Sequence, residues 1–429
     1  MDLHSDLQKE WNEKGAAYGT GINEMVAFGE THGWNKWTGG EPEDDREHLA
    51  DEVLRLLKEA NTSGSVAAFR EAFPPSYSPF TKYIKKNEQN IELLHFIGDD
   101  KIVFFVRNYE QEPQGYILDG DKLMELDPTV KAIGKSKQGN VFAVISDGGK
   151  LTTKQGWDGE VIATFTLEAL KESSMTQILP FNDGKTVLLV SAEGIYLISA
   201  EGEKMIHPEP EEEELYEDED EEDEDEEDES YPLEISMENA DLSNDNRYIV
   251  VADQDSSHRI LNASGELLGE IEPQSSYPHF CLFASNDDQL ITNSCHFYNG
   301  VTIGTDTSKL NDIATEAYLE SDEYVDIDES MRVYAGVAGD GYYILGDAYG
   351  YLKAFDKQGN PLWRHYLGST ISGMCLSDDG KTLWVGSYSG MLHKLRLGAG
   401  HRDAHTIGNG NHYEDLRLIL WKGQPALLW

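Results

Sequence analysis

Asp183-Gly184-Lys185-Thr186-Val187-Leu188-Leu189-Val190-Ser191 is the stretch whose reading decides the fold of this 429-residue chain. It is a polar turn followed by a tight apolar run rich in β-branched residues. The same pattern returns as DDKIVFFVR at Asp99, QGNVFAVIS at Gln138 and DNRYIVVAD at Asp245. It continues as DDQLITNS at Asp287, DGYYILGD at Asp340 and DGKTLWVGS at Asp379. Aligned on the third residue, the copies start at Lys101, Asn140, Lys185, Arg247, Gln289, Tyr342 and Lys381, at spacings of 39, 45, 62, 42, 53 and 39 residues. Each run is too short for a helix and is bounded by Asp, Gly or Asn, which supply the positive φ that a hairpin turn needs. The runs therefore read as strands.

A period near 40 residues built from short strands is the length of one four-stranded propeller blade. Further strands follow each copy, as at Gly194–Ser199 and at Tyr351–Phe355, and Lys357-Gln358-Gly359-Asn360 turns the chain toward Pro361-Leu362-Trp363. Near-continuous apolar runs fit inner strands buried on both faces. A lone blade leaves those faces in water, whereas a closed ring buries them. The expected fold is all-β, a seven-bladed β-propeller over residues 87–411, with the inner strands at the seven starts. Eight blades is the neighbouring count, if the N-terminal region holds a degenerate unit.

From about Ile91 to Gly400 the pattern resembles the WD-repeat and quinoprotein-like β-propeller superfamily. The chain departs from the WD pattern: Trp157-Asp158 and Gly400-His401 occur once each, out of register, and the tryptophan docking motif is missing from most units. The C-terminal HYEDLRLILWKGQPALLW, His412 to Trp429, resembles the tail of bacterial propeller proteins of the immunity type. That resemblance implies a ring that binds and neutralises a toxin effector. Residues 412–429 themselves read as a hairpin that completes or caps a blade.

Charge is the second strong signal. The chain holds 80 Asp and Glu against 34 Lys and Arg, a formal balance of −46. Between Glu209 and Glu229, 18 of 21 residues are acidic, and without them the balance is still −28. Extended residues lie about 3.3 Å apart, so several charges share one Debye length of about 8 Å. Repulsion with almost nothing apolar to bury implies an extended, disordered insertion in a surface loop. It falls in the longest spacing. One reading is a solubilising tail. Another is a docking arm for a basic protein partner such as a cationic toxin effector, with Leu215 and Tyr216 anchoring the acids Glu217, Asp218, Glu219, Asp220, Glu221, Glu222 and Asp223. Calcium chelation is a third, although a flexible polyanion lacks fixed ligand geometry. Direct nucleic-acid binding is disfavoured, because phosphate calls for basic patches.

The N-terminal 86 residues do not follow the repeat. Asp45 to Ala60 reads as an amphipathic helix carrying Leu49, Val53, Leu56, Leu57 and Ala60 on one face, ended by Asn61-Thr62-Ser63-Gly64. A shorter helix is expected from Val66 to Phe73, before Pro74-Pro75. The stretch Glu30 to Gly40 is dense in aromatic and glycine residues, and reads either as a rim cap or as an aromatic interaction surface through Trp34 and Trp37.

The chemistry-bearing motifs are few. Gly386-Ser387-Tyr388-Ser389-Gly390 imitates a nucleophile elbow but holds Tyr at its centre, in a strand-to-strand turn. His401 and His405 are four apart, a metal pair only on a helix, in a setting that reads as loop. Gly19-Thr20-Gly21 lacks the third glycine of a dinucleotide fingerprint. Asp253, Asp255 and His258 follow a strand, where turn chemistry and a rim site are equal readings. Cys281, Cys295 and Cys375 lack metal spacing and read as buried free thiols. No apolar stretch reaches membrane length, and the N-terminus has neither the basic flank nor the apolar run of a secretory signal. The expectation is a cytoplasmic, non-catalytic binding protein without metal or cofactor. A general interaction scaffold, or an enzyme with a site in the central channel, is the alternative.

Overall fold

The computed structural model describes residues 3–108, 111–167, 175–209, 234–319, 321–400 and 402–429. The described residues form seven antiparallel sheets, each contiguous in sequence. Blade 1 spans residues 90–125, and blades 2 to 6 span 130–166, 175–207, 239–271, 277–328 and 333–366. Blade 7 spans 371–428, where Tyr413–Ile419 pairs with Met391–Arg396 as fourth strand and Leu427–Leu428 adds a fifth.

Each repeat copy is a strand, within two residues of its expected start. These are Lys101–Asn108, Val141–Ser146, Val187–Ser191, Tyr248–Ala252, Gln289–Cys295, Tyr342–Asp347 and Thr382–Ser387. Each is the second strand of its sheet, not the innermost. The first strands touch one another from blade to blade around the ring and form its inner wall. The correction has a physical cause. A second strand is sandwiched by both neighbouring blades, so Val187–Ser191 and Thr382–Ser387 are buried throughout. A first strand alternates, as Ile371–Leu376 does, because one row of side chains faces the channel. The Asp and Gly turns that mark the repeat close the hairpin between the two.

Every interface between adjacent blades has its own apolar cluster. Ile91, Phe104 and Leu118 of blade 1 meet Trp384, Leu392 and Leu418 of blade 7, which closes the ring. Leu188 and Val190 of blade 3 meet Ile249 and Val251 of blade 4. Full burial of a side chain of this size contributes about 1.5–3 kcal/mol, so these contacts dominate. On one face the repeat turns also read each other. Asn182 Oδ1 accepts from Gln138 N at 2.9 Å, Asn246 Oδ1 accepts from Asn182 N at 2.7 Å, and Asp287 Oδ1 accepts from Asn244 N at 2.7 Å.

Among the described residues the N-terminal region holds four α-helices: α1 (Leu3–His32), α2 (Ala50–Ser63), α3 (Val66–Ala72) and α4 (Thr81–Asn87). The amphipathic helix is present but starts later than expected, with Glu47–Leu49 as a 3-10 turn before it. It ends at Gly64, whose φ of 73° is the left-handed conformation of a helix stop. These helices clasp the last blade. Trp429 is 1% exposed and packs on Trp11, Phe69 and Phe80, and its Nε1 donates to Phe73 O at 2.8 Å. Asn61 caps the fifth strand from both sides, donating to Leu428 O and accepting from Leu428 N, each at 2.8 Å. Further along, Glu30 of α1 pairs with Arg364 of blade 6 at 2.6 Å. No helix among the described residues is long and apolar enough to cross a membrane.

Candidate protein-binding face

In each blade the chain crosses from second to third strand on the face opposite the repeat turns. The connections between successive blades emerge on the same side. The acidic segment lies in one of them, between Gly202–His207 of blade 3 and Asn239–Leu242 of blade 4. Leu215, Tyr216, Glu217, Asp218, Glu219, Asp220, Glu221, Glu222 and Asp223 fall outside the described residues. Glu209 falls within them and pairs with Arg259 of blade 4.

Beside the channel on this face, blades 5 to 7 build an aromatic group around one cation. Arg332 lies 5.1 Å from the Tyr334 ring centre, donates from Nη1 to Phe297 O at 3.2 Å and from Nε to His279 Nε2 at 3.3 Å. His279 packs edge-on to Tyr334 at 4.7 Å, and Tyr334 meets Tyr388 at 6.3 Å. His279 Nδ1 must donate to Val333 O at 2.5 Å, because Nε2 accepts from Arg332. That arrangement requires neutral imidazole. Burial, with Arg332 beside it, holds the His279 pKa down to about 4, so the bond survives at neutral pH. Phe297 and Tyr298, in the tight turn after Gln289–Cys295, are 66% and 69% exposed, and Tyr349 in the next blade's turn is 49% exposed. Large aromatics and a half-buried Arg are the composition of interface hot spots.

The root of the acidic connection is itself acidic. Glu238 precedes blade 4, Glu193 occupies the turn of blade 3, and Asp253 directly follows the second strand of blade 4. Burial raises the Glu238 carboxyl, and the charges of Asp253 and Glu193 raise it further, so the three lie within electrostatic reach of one another. Asp253 is held low despite burial by the His207 ring, 3.5 Å away, and by Ser256. His258 is buried at the start of the next strand and held down to about 3 by desolvation. Asp255 is exposed.

The other sequence candidates lie elsewhere. Trp34, in the 3-10 turn Trp34–Lys36, is 58% exposed and folds back onto Gly29 of α1, while Trp37 is half-buried edge-on to Phe28. Both belong to the short segment that follows α1, and the structure does not bring them to the aromatic group. Gly386 and Ser387 end a strand of blade 7 and Tyr388 opens the turn, where Ser387 and Ser389 hydroxyls bond at 2.8 Å. His405 sits in a loop against Gly15, and its partner His401 lies outside the described residues. Gly19-Thr20-Gly21 is mid-helix. Among the described residues no cluster of three His, Cys, Asp or Glu could hold a metal ion. The three cysteines are free and buried, and desolvation pushes the Cys295 thiol up to about 11. At the far end of the channel Lys137 of blade 2 reaches Asp241 of blade 4 at 2.7 Å.

Sequence reasoning missed Phe297, Tyr298, Arg332 and Tyr349. The signal was present: His296-Phe297-Tyr298-Asn299 sets two adjacent bulky aromatics in a tight turn, and the corresponding turns of the next two blades carry Tyr349 and Tyr388.

No protein-family model and no curated protein matches the chain. Among solved structures it is similar to one described as KlHsv2 with loop 6CD replaced by a Gly-Ser linker, at 9% identity and a TM-score of 0.46, covering 77% of this chain and 98% of that one. It is also similar to the computationally designed Ika8 protein, at 12% identity and a TM-score of 0.44, covering 72% of this chain and 96% of that one.

Proposed function

We propose that this β-propeller is a non-catalytic protein-binding module that holds a basic partner against the face carrying the aromatic group and the acidic connection. The observation that carries the reading is their juxtaposition: Phe297, Tyr298 and Tyr349 exposed around Arg332, with Glu193, Glu238 and Asp253 at the root of the acidic segment two blades away. The acids, backed by a balance of −46, attract and orient a cationic protein. Steering of this kind raises association rates roughly ten- to a thousandfold and fades with salt. The aromatics, once desolvated by the partner, slow its release. The most concrete form of this function is immunity, the binding and blocking of a cationic toxin effector. General scaffolding uses the same face.

The test is capture of partners from the source cells on the intact protein and on a Phe297→Ala/Tyr298→Ala variant, followed by elution with rising salt. A basic protein retained by the parent, released by salt and lost by the variant is the expected result. Equal retention by both, or retention indifferent to salt, refutes the reading.

A further inference from the structure

The chain holds two Asn-Gly pairs, Asn299-Gly300 and Asn409-Gly410. This dipeptide carries a latent reaction, because the glycine amide can close onto the asparagine side chain with no Cβ in its way. A nucleophile held next to its target needs no encounter, only the freedom to reach the reacting geometry. In a folded chain, hydrogen bonds to the two groups decide whether that freedom exists. Both asparagines are exposed, so exposure does not separate them. Their bonding does.

Asn409 is pinned. Its Oδ1 accepts from Arg364 N at 2.8 Å, and its own N donates to Arg364 O at 3.1 Å. The residue before it is held as well, Gly408 N donating to Asn23 Oδ1 of α1 at 2.8 Å. Asn299 is not pinned. It closes the hairpin whose tip is Phe297-Tyr298, with His296 N donating to Asn299 O at 2.8 Å. Bonded and non-bonded pairs alternate along an antiparallel ladder, so the next pair, Cys295 and Gly300, is a non-bonded one. The Gly300 N–H therefore points out of that ladder, toward the fourth strand of the blade, which pairs no further than Thr302. Among the described residues no acceptor meets the Gly300 N–H, and the Asn299 carboxamide makes no hydrogen bond. Gly300 itself is buried, so the group that reaches it is the neighbouring carboxamide.

We propose that Asn299-Gly300 is a site of spontaneous deamidation at the tip of blade 5. Gly300 N gives up its proton and attacks Asn299 Cγ, and the Cγ–Nδ2 bond breaks as ammonia leaves. Water then opens the five-membered imide. Opening at Cγ restores the ordinary chain as aspartate, whereas opening at the main-chain carbonyl gives isoaspartate, with one extra backbone atom. Asparagine and water are consumed, and the acid and ammonia are formed. Either product sets a new negative charge beside Tyr298, and isoaspartate lengthens the turn that presents Phe297 and Tyr298. On the function proposed above this remodels the binding face, although the chemistry does not depend on that reading.

Peptide mass spectrometry of the full chain, incubated for weeks in mildly alkaline buffer at physiological temperature, tests the site without any partner. The peptide holding Asn299 should gain about one mass unit and contain isoaspartate, at a rate at least tenfold that of the peptide holding Asn409. A tenfold ratio is about 1.4 kcal/mol of barrier. In denaturant the two sites should converge, because the difference lies in the fold. Asn299→Gln, whose ring would need six members, should show no gain at that peptide. Equal rates at the two sites of the folded protein, or a faster Asn409, overturn the proposal. A folded-state rate at Asn299 below about a tenth of the denatured rate overturns it too, because the hairpin would then protect the pair. Aspartate without isoaspartate would refute the imide route.

Discussion

Replacing Trp429 with alanine should open the clasp between the helices and blade 7. The side chain is 1% exposed, with Phe80 at 5.2 Å, Phe69 at 6.0 Å and Trp11 at 6.3 Å between ring centres. Truncating a buried Trp costs about 3–5 kcal/mol, and orphaning the Phe73 carbonyl that its indole now bonds brings the total to about 4–6 kcal/mol. An unfolding entropy of about 2.1 cal/mol/K per residue over roughly 400 residues gives about 0.8 kcal/mol/K, so Tm should fall by about 5–7 °C. Circular dichroism melts of the parent and Trp429→Ala measure it, with Trp34→Ala as control. Trp34 is 58% exposed and its loss should stay within about 0.5 kcal/mol. A Trp429→Ala protein melting within a degree of the parent would refute the role given to the clasp.

Gly386→Ala tests ring closure from the other side: the added methyl would stand 2.1 Å from Ile91 O of blade 1, so it should cost about 1–3 kcal/mol, and an unchanged urea midpoint would contradict it. Acid should destabilise the ring before its carboxylates protonate. His95, His279, His365 and His412 are held near pKa 4 and His258 near 3 by burial, against about 6.5 unfolded. The unfolded chain therefore binds more protons between pH 6.5 and 4, and stability present above pH 6.5 is lost as pH falls, by up to about 1.4 kcal/mol per pH unit for each histidine. Denaturant midpoints that stay flat from pH 7 to 4.5 would speak against that. Deleting Glu217 to Glu229 should move Tm by no more than about 2 °C, since segments away from the core matter little, yet flatten the salt dependence of partner association; a large thermal loss would mean that the ring's basic residues hold the run.

The ring was legible because the second strand of every blade must be apolar on both faces, which writes an uninterrupted run such as Val187-Leu188-Leu189-Val190 behind each turn. The first strands were harder to read, since Ile371–Leu376 alternates between a neighbour and the channel. Helix α1 was not legible. Its buried stripe is Trp11, Gly15, Gly19, Ile22, Val26 and Gly29, a helical period written partly in glycine. Those glycines exist for close approach: a methyl at Gly15 would lie 2.3 Å from Arg46 Nη1, and one at Gly19 2.8 Å from Ala404 O. Hydrophobic periodicity cannot detect such a stripe. The acidic half of the candidate face announced itself by composition. The aromatic half is assembled from residues far apart in sequence, His279, Phe297, Arg332, Tyr349 and Tyr388, which only the ring brings together.

Amide hydrogen exchange across the chain, with and without the captured basic partner, tests the central claim most directly. The account predicts new protection at the turns carrying Phe297 and Tyr298, Tyr349 and Tyr388, and around Glu193 and Asp253, with the repeat turns at Asn182, Asn244 and Asp287 unchanged. Protection confined to those repeat turns, on the opposite face, would contradict it.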